Sequence, residues 1–146
     1  MSLSPPENHS RLTIYALSKL GQGAARAVET ALAPLDLRPR EFSALALIDE
    51  LGGSAQSDVA DRLGIDRSDM VAVVDKLETK GLVSRRQDPK DRRRHVVDTT
   101  RSGAALVPRG AKALAAADSA FMADLTKSDQ RQLSELLAAL GKSVDC

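Results

Sequence analysis

From Arg11 to Leu32 apolar residues recur at spacings of three and four, among them Ile14, Leu17, Leu20, Ala24, Val28 and Leu32, which predicts one long helix with a single apolar stripe. Gly21 and Gly23 lie inside it. Each disfavours helix by about 1 kcal/mol relative to Ala unless another helix approaches closely, so a break near Gly21 is the competing expectation. Pro34 ends the pattern. A second helix is expected from Pro39, a residue suited to the first helical position, through Phe42, Leu45, Ala46 and Ile48 to about Leu51, where Gly52 and Gly53 stop it. A short third helix follows, with Ser54 as its expected cap, Val59, Ala60 and Leu63 as its buried face and Gly64 after its last turn.

Asp66 is placed to cap a fourth helix, with Asp69 in the first turn where the helix dipole favours a carboxylate. Met70, Val73, Val74 and Leu77 share one face, which leaves Arg67, Ser68, Val71, Ala72, Asp75 and Lys76 pointing outward. After Gly81, the segments Leu82-Val83-Ser84-Arg85-Arg86 and His95-Val96-Val97-Asp98-Thr99 read as two short strands around a turn. Thr100 is positioned to cap a fifth helix through Leu106, Leu114 and Phe121, which Pro108 should kink. Thr126 or Ser128 opens a last helix carrying Leu133, Leu136, Leu137 and Leu140 on one stripe.

Charge changes the meaning of the turn between the two strands. The chain of 146 residues holds 21 Lys and Arg against 20 Asp and Glu, yet the ten residues Arg85 to Arg94 hold six cations against two carboxylates. A lone basic run is commonly a solvated loop. Directly behind two short helices joined by a tight turn, it completes a winged helix-turn-helix, in which the fourth helix enters the major groove of duplex DNA and the wing reaches the adjacent minor groove or backbone. On that reading Arg67 and Ser68 stand at the helix start within reach of base edges and phosphates, and Val71 and Ala72 offer apolar contact to thymine methyls. Lys76, further along, suits phosphate, and Asp75 is expected to pair with a neighbouring Arg or Lys.

Composition narrows the alternatives. Only Tyr15, Phe42 and Phe121 are aromatic, too few for the stacking platforms of single-strand binders, so duplex DNA is the expected partner. The length allows one domain, spanning 1–146, in a mainly α fold with a small β-hairpin wing. No nucleophile with a base, no phosphate-binding glycine loop and no metal-ligand spacing can be named, so no catalytic residue, cofactor or metal is assigned. The single cysteine, Cys146, permits no intramolecular disulfide, and a reducing cytoplasm is the expected compartment. Residues 1 to 10 have no apolar core and no later run is long enough for a membrane span, so neither secretion nor insertion is expected.

At this point the sequence resembles the MarR family of transcription regulators over nearly its whole length. The wing pattern of that family, Asp-x-Arg followed after five residues by Leu-Thr, stands here as Asp91-Arg92-Arg93 and then Thr99-Thr100, with Thr99 in place of Leu. Gln56-Ser57-Asp58-Val59-Ala60-Asp61-Arg62-Leu63-Gly64-Ile65, Leu77-Glu78-Thr79-Lys80-Gly81-Leu82-Val83 and Leu37-Arg38-Pro39-Arg40-Glu41-Phe42 are similar to its other signatures, although Arg38 stands where a capping Thr is common.

The resemblance implies a homodimeric, ligand-responsive repressor on a pseudo-palindromic operator, with a DNA-binding lobe at 37–100 and dimerisation helices at 11–33 and 101–144. It implies that Arg93 enters the minor groove, that Asp91 orients it through a salt bridge, and that Arg92 and Arg94 contact phosphate or the wing edge. Gln56, Ser57 and Arg85 join the DNA contacts. It also implies close helix contacts at Gly21 and Gly23 in the dimer. A small anionic or phenolic effector would need a donor or cation, for which Tyr15, Arg38 and Arg40 are the candidates, with His9, Arg11 and Arg26 behind them. Redox sensing is not expected, since no cysteine lies near the N-terminus. The competing function is a winged-helix module for protein contacts, with its basic turn on an acidic partner and no specific DNA binding.

Overall fold

The computed structural model describes residues 13–144; His9, Arg11 and Cys146 lie outside them. Six helices and a three-stranded sheet follow in the order α1 (Thr13–Leu32), a single 3-10 turn (Ala33–Leu35), α2 (Pro39–Leu51), β1 (Ser54–Ala55), α3 (Gln56–Leu63), α4 (Arg67–Thr79), β2 (Val83–Gln87), β3 (His95–Thr99), α5 (Arg101–Phe121) and α6 (Lys127–Val144). The first helix runs unbroken through Gly21. A side chain at Gly21 would meet nothing, and one at Gly23 would make ordinary contact with the Phe121 ring, so neither glycine serves a close helix approach within the subunit. Packing of α1 along α5 outweighs the small propensity cost of the two glycines.

The expected cap of α3 is corrected: Ala55 is the N-cap residue and no side chain caps the helix. Ser54 belongs instead to β1, whose two residues pair antiparallel with Val97 and Val96, so β3 lies between β1 and β2. The wing register pairs Val83 with Thr99 and Gln87 with His95. The other caps form as the sequence suggests. Asp66 accepts the Ser68 backbone N–H at 2.8 Å, Thr100 accepts that of Gly103 at 3.1 Å, and Thr126 accepts that of Asp129 at 3.2 Å. The fifth helix continues through Pro108.

The buried core lies between Leu32 and Val97, with Leu45, Ile48, Val59, Met70, Leu77 and Val97 fully enclosed. Four of these come from α2 and α4, and Val97 seals the cluster from the sheet. In α5 only Gly103 and Gly110 are buried, because the helix rides against backbone and ring. A Cβ at Gly103 would collide with the Leu82 carbonyl oxygen, and one at Gly110 with the Phe42 ring. Leu82 O also accepts the Thr100 N–H at 3.0 Å, and the Thr100 hydroxyl donates to Gly81 O at 2.6 Å. These contacts tie both ends of the wing to the start of α5.

Among the described residues, one charged side chain enters this interior. Glu41 is 3% exposed, and its carboxylate accepts the Arg38 N–H at 3.0 Å and the Lys80 ammonium at 2.9 Å. Lys80 also donates to the carbonyl of Asp36, which adopts a left-handed conformation at φ 53°. Burial alone would raise the Glu41 carboxyl, but the Arg38 N–H and the Lys80 ammonium together outweigh it and hold the group below its ordinary value. The pair joins the start of α2 to the residue that closes α4. No helix among the described residues is long and apolar enough to cross a membrane.

Candidate nucleic-acid interface

Helix α4 presents two different sides to solvent, and the sequence-based candidates divide between them. Val71, 43% exposed, faces an open cleft of about 430 Å³ between α3, α4 and the wing, lined also by Gln56, Ser57, Arg67, Arg93 and Arg94. Ala72 and Lys76 line a second cleft, against Arg38 at the N-cap of α2 and Arg40 in its first turn. Ser68, exposed in the first turn, turns its hydroxyl back onto the Asp66 carboxylate, and the Ser68 hydroxyl and N–H together hold that carboxyl below the ordinary range. Gln56, the first residue of α3, keeps a buried side-chain oxygen with no hydrogen-bond partner.

The wing tip is shaped by its two carboxylates. Asp88 accepts the Lys90 N–H at 2.8 Å and Asp91 accepts the Arg93 N–H at 3.0 Å, while Arg94 N–H donates to Asp91 O at 2.9 Å. The expected salt bridge between Asp91 and Arg93 is therefore corrected: Asp91 grips the backbone of Arg93, and no ion pair joins their side chains. A short Asp side chain two residues back reaches the N–H more readily than a long guanidinium that gains solvation by projecting. Arg92 and Arg93 are exposed on this turn, as is Lys90, and Arg86 is exposed near the end of β2.

Three other candidate cations are engaged in ion pairs with carboxylates of the same subunit. Arg85 donates to Asp75 at 2.6 Å and lies 4.0 Å from Glu78, with its side chain only 19% exposed. It braces β2 against α4 and does not project as a free phosphate contact. Asp75 thus takes the role expected of it. Arg67 pairs with Asp61 at 3.3 Å, and Arg94 reaches Asp58 at 3.1 Å. Residues 54–81, which form the helix-turn-helix, carry six carboxylates against four cations, whereas the wing turn is strongly basic. The positive field of this face comes from the wing.

Arg38 and Arg40, two of the effector candidates, meet at the second cleft with Lys76, alongside Glu29, Glu41 and Asp69. Arg40 is paired there with Asp69 at 3.5 Å. Tyr15 is elsewhere, on α1, with the Lys19 ammonium 5.7 Å from its ring centre. A larger and almost wholly apolar cleft, about 660 Å³, lies among α1, α5 and α6 and is lined by Leu17, Leu20, Val28, Leu114, Phe121 and Leu133, with Asp118 its one charged residue. No charge pattern in the sequence marks this cleft. Three helical stripes that were legible separately meet there only in the fold.

The MarR family model matches residues 37–95, the span from α2 to the wing. An HTH-type transcriptional repressor of Mycobacterium tuberculosis is 31% identical over 127 residues, which cover 87% of this chain and 91% of the repressor. Among solved structures, a MarR-family transcriptional regulator from a Rhodococcus species superposes with a TM-score of 0.78 at 31% identity, covering 94% of this chain and 96% of its own. CouR of Rhodococcus jostii, solved bound to p-coumaroyl-CoA, has a TM-score of 0.76 at 29% identity and covers 92% and 95% of the two chains. With a relative this similar over most of both sequences, and with the helix-turn-helix, wing and flanking helices in matching order, the chain belongs to the MarR family of winged helix-turn-helix transcription regulators.

Proposed function

We propose that this chain is a cytoplasmic homodimeric repressor that binds a pseudo-palindromic operator in duplex DNA and is released by a small molecule. The observation that carries the DNA-facing part is the convergence of Arg67 and Val71 on α4 with Arg93 and Arg94 of the wing around one open cleft. The first turn of α4 reads the major groove, with Val71 on thymine methyls and Arg67 at base edges once its guanidinium exchanges Asp61 for the DNA. Arg93 enters the minor groove from a turn that Asp91 shapes, and Arg92 contacts phosphate. Gln56 and Ser57 approach the backbone from α3, while Lys76 and Ala72 lie at the margin. No catalytic step is assigned to any of these residues.

Dimerisation falls to α1, α5 and α6, with 37–100 as the DNA-binding lobe. Support comes from the exposure of Ile14, Leu20, Leu136, Leu137 and Leu140 on those helices, a stripe that one subunit leaves in water. For the effector, the apolar cleft among the same helices suits an aromatic or acyl body, and the bound p-coumaroyl-CoA of CouR is a ligand of that character. Arg38 and Arg40 serve an anionic group only in the second cleft, where Arg40 must first leave Asp69.

The test is a gel shift on the gene's own upstream region with random duplex as competitor. Wild type is expected to show sequence-preferring binding with half-sites about one helical turn apart. Arg93→Ala is expected to lose roughly 1–3 kcal/mol of operator affinity. Equal binding by Arg93→Ala and wild type would remove the wing assignment, and the absence of any preferred sequence at low salt would leave a protein-contact module.

A further inference from the structure

Helix α3 turns two carboxylates toward cations of the DNA-facing cleft. Asp58, in its first turn, takes Arg94 Nη2 at 3.1 and 3.3 Å on its two oxygens, a contact between residues 36 apart in sequence. Asp61, one turn on, takes Arg67. Neither pair adds much to the fold. The side chains of Asp58 and Arg94 are 56% and 45% exposed, and pairs so open to water contribute little to stability. Asp58 is also not needed as a cap, since the N-cap residue is Ala55 and its neighbour Ser57 makes only a 3.5 Å contact with it. The pair matters more for how many positive charges DNA meets. A guanidinium already neutralised by a carboxylate adds nothing to counterion release unless it changes partner, and the carboxylate left behind then faces phosphate.

We propose that Asp58 is a specificity-determining residue, which withholds Arg94 from the backbone of nonspecific DNA. The inference rests on the DNA-facing reading of the cleft. On random duplex the protein is held loosely by the exposed wing cations and the Asp58–Arg94 pair stays closed. On the operator, the seated α4 and wing fix a phosphate beside Arg94, and the guanidinium exchanges one anion for another at small cost. Binding to the wrong sequence is therefore weakened more than binding to the right one. The same logic accounts for a helix-turn-helix that is itself acidic: its carboxylates hold nonspecific attraction down, and the wing supplies the rest.

The experiment measures affinity of the full-length protein for random duplex and for the protected fragment of its own upstream region, over roughly 50 to 200 mM salt. Asp58→Asn is expected to raise random-duplex affinity about threefold at low salt and to steepen the slope of log K against log salt by about 0.9, the contribution of one further phosphate. Operator affinity should change less. Arg94→Ala added to Asp58→Asn should return the random-duplex slope to the wild-type value, whereas Arg94→Ala alone should leave it unchanged. An unaltered slope in folded Asp58→Asn, or a slope about 0.9 shallower in Arg94→Ala alone, overturns the proposal. If Asp58→Asn fails to fold, Arg94→Ala still tests the proposal on both DNAs: its slope should match wild type on random duplex and be about 0.9 shallower on the operator, and an operator slope equal to wild type overturns it. A wild type with no sequence preference would take down the underlying reading as well, which separates the two failures.

Discussion

The helix-turn-helix with its sheet and the helices at the two ends of the chain solve the burial problem differently. The first region encloses Leu45, Ile48, Met70, Leu77 and Val97 completely within one subunit. In the second, α6 has no buried residue among those described, and Ile14 is 75% exposed and Leu136 56%. Both are amphipathic by sequence. A stripe becomes core only when another stripe faces it at the right crossing, and α1, α5 and α6 find one another only along part of their apolar surface. The unsatisfied remainder is what a second copy covers in the proposed dimer.

The contrast can be broken most directly at α6. Replacing Leu137 and Leu140 together by Glu is expected to abolish the dimer, seen by sedimentation, and to lose operator binding with it, because two half-sites are then no longer held by one particle. A double variant that still sediments as a dimer would end the comparison. Next in size, Leu77→Ala in the enclosed core is expected to cost about 2–5 kcal/mol of stability by thermal or denaturant unfolding while leaving sedimentation below the transition unchanged. A cost near zero would mean that the first region does not depend on its own core.

Lys80→Met sharpens the picture of that core, since it strands the Glu41 carboxylate. We expect a loss of about 2 kcal/mol, below the roughly 3–5 of a fully buried pair because the Lys80 side chain reaches solvent. The smallest effect concerns acid. The Glu41 carboxyl is held below its ordinary 4.5, so its contribution is present at neutral pH and is lost as pH falls through the lowered value. Between about pH 7 and pH 3 wild type should therefore lose more stability than Glu41→Gln; equal losses would exclude Glu41 as a source of acid sensitivity.

Sequence carried most of the elements because their signals are local. Pro39 and Gly52 bound α2, Asp66 and Thr100 cap α4 and α5, and the period of Met70, Val73, Val74 and Leu77 names the buried face of α4. What escaped is tertiary. Strand β1 is two residues long and exists through Val96 and Val97, more than 40 residues away, so no alternation announces it. The Asp58–Arg94 pair spans 36 residues, and from sequence both Arg85 and Arg94 count simply as wing charge. In the fold one is a brace and the other is already occupied. Asp91 was legible as a partner of Arg93, but a carboxylate two residues before an N–H satisfies the backbone first.

Gly103 and Gly110 look interchangeable on paper, seven residues apart on one helix, yet their mutational tolerance should differ. Opposite Gly110 stands the Phe42 ring, which swings on its own side-chain bonds and so can yield to a newcomer. Opposite Gly103 stands the peptide carbonyl of Leu82, already fixed by the Thr100 N–H. A methyl there has nowhere to go unless the wing parts from α5. In a deep substitution scan position 103 would then be a column with a single permitted letter, and a lineage altering its wing turn would still inherit that glycine.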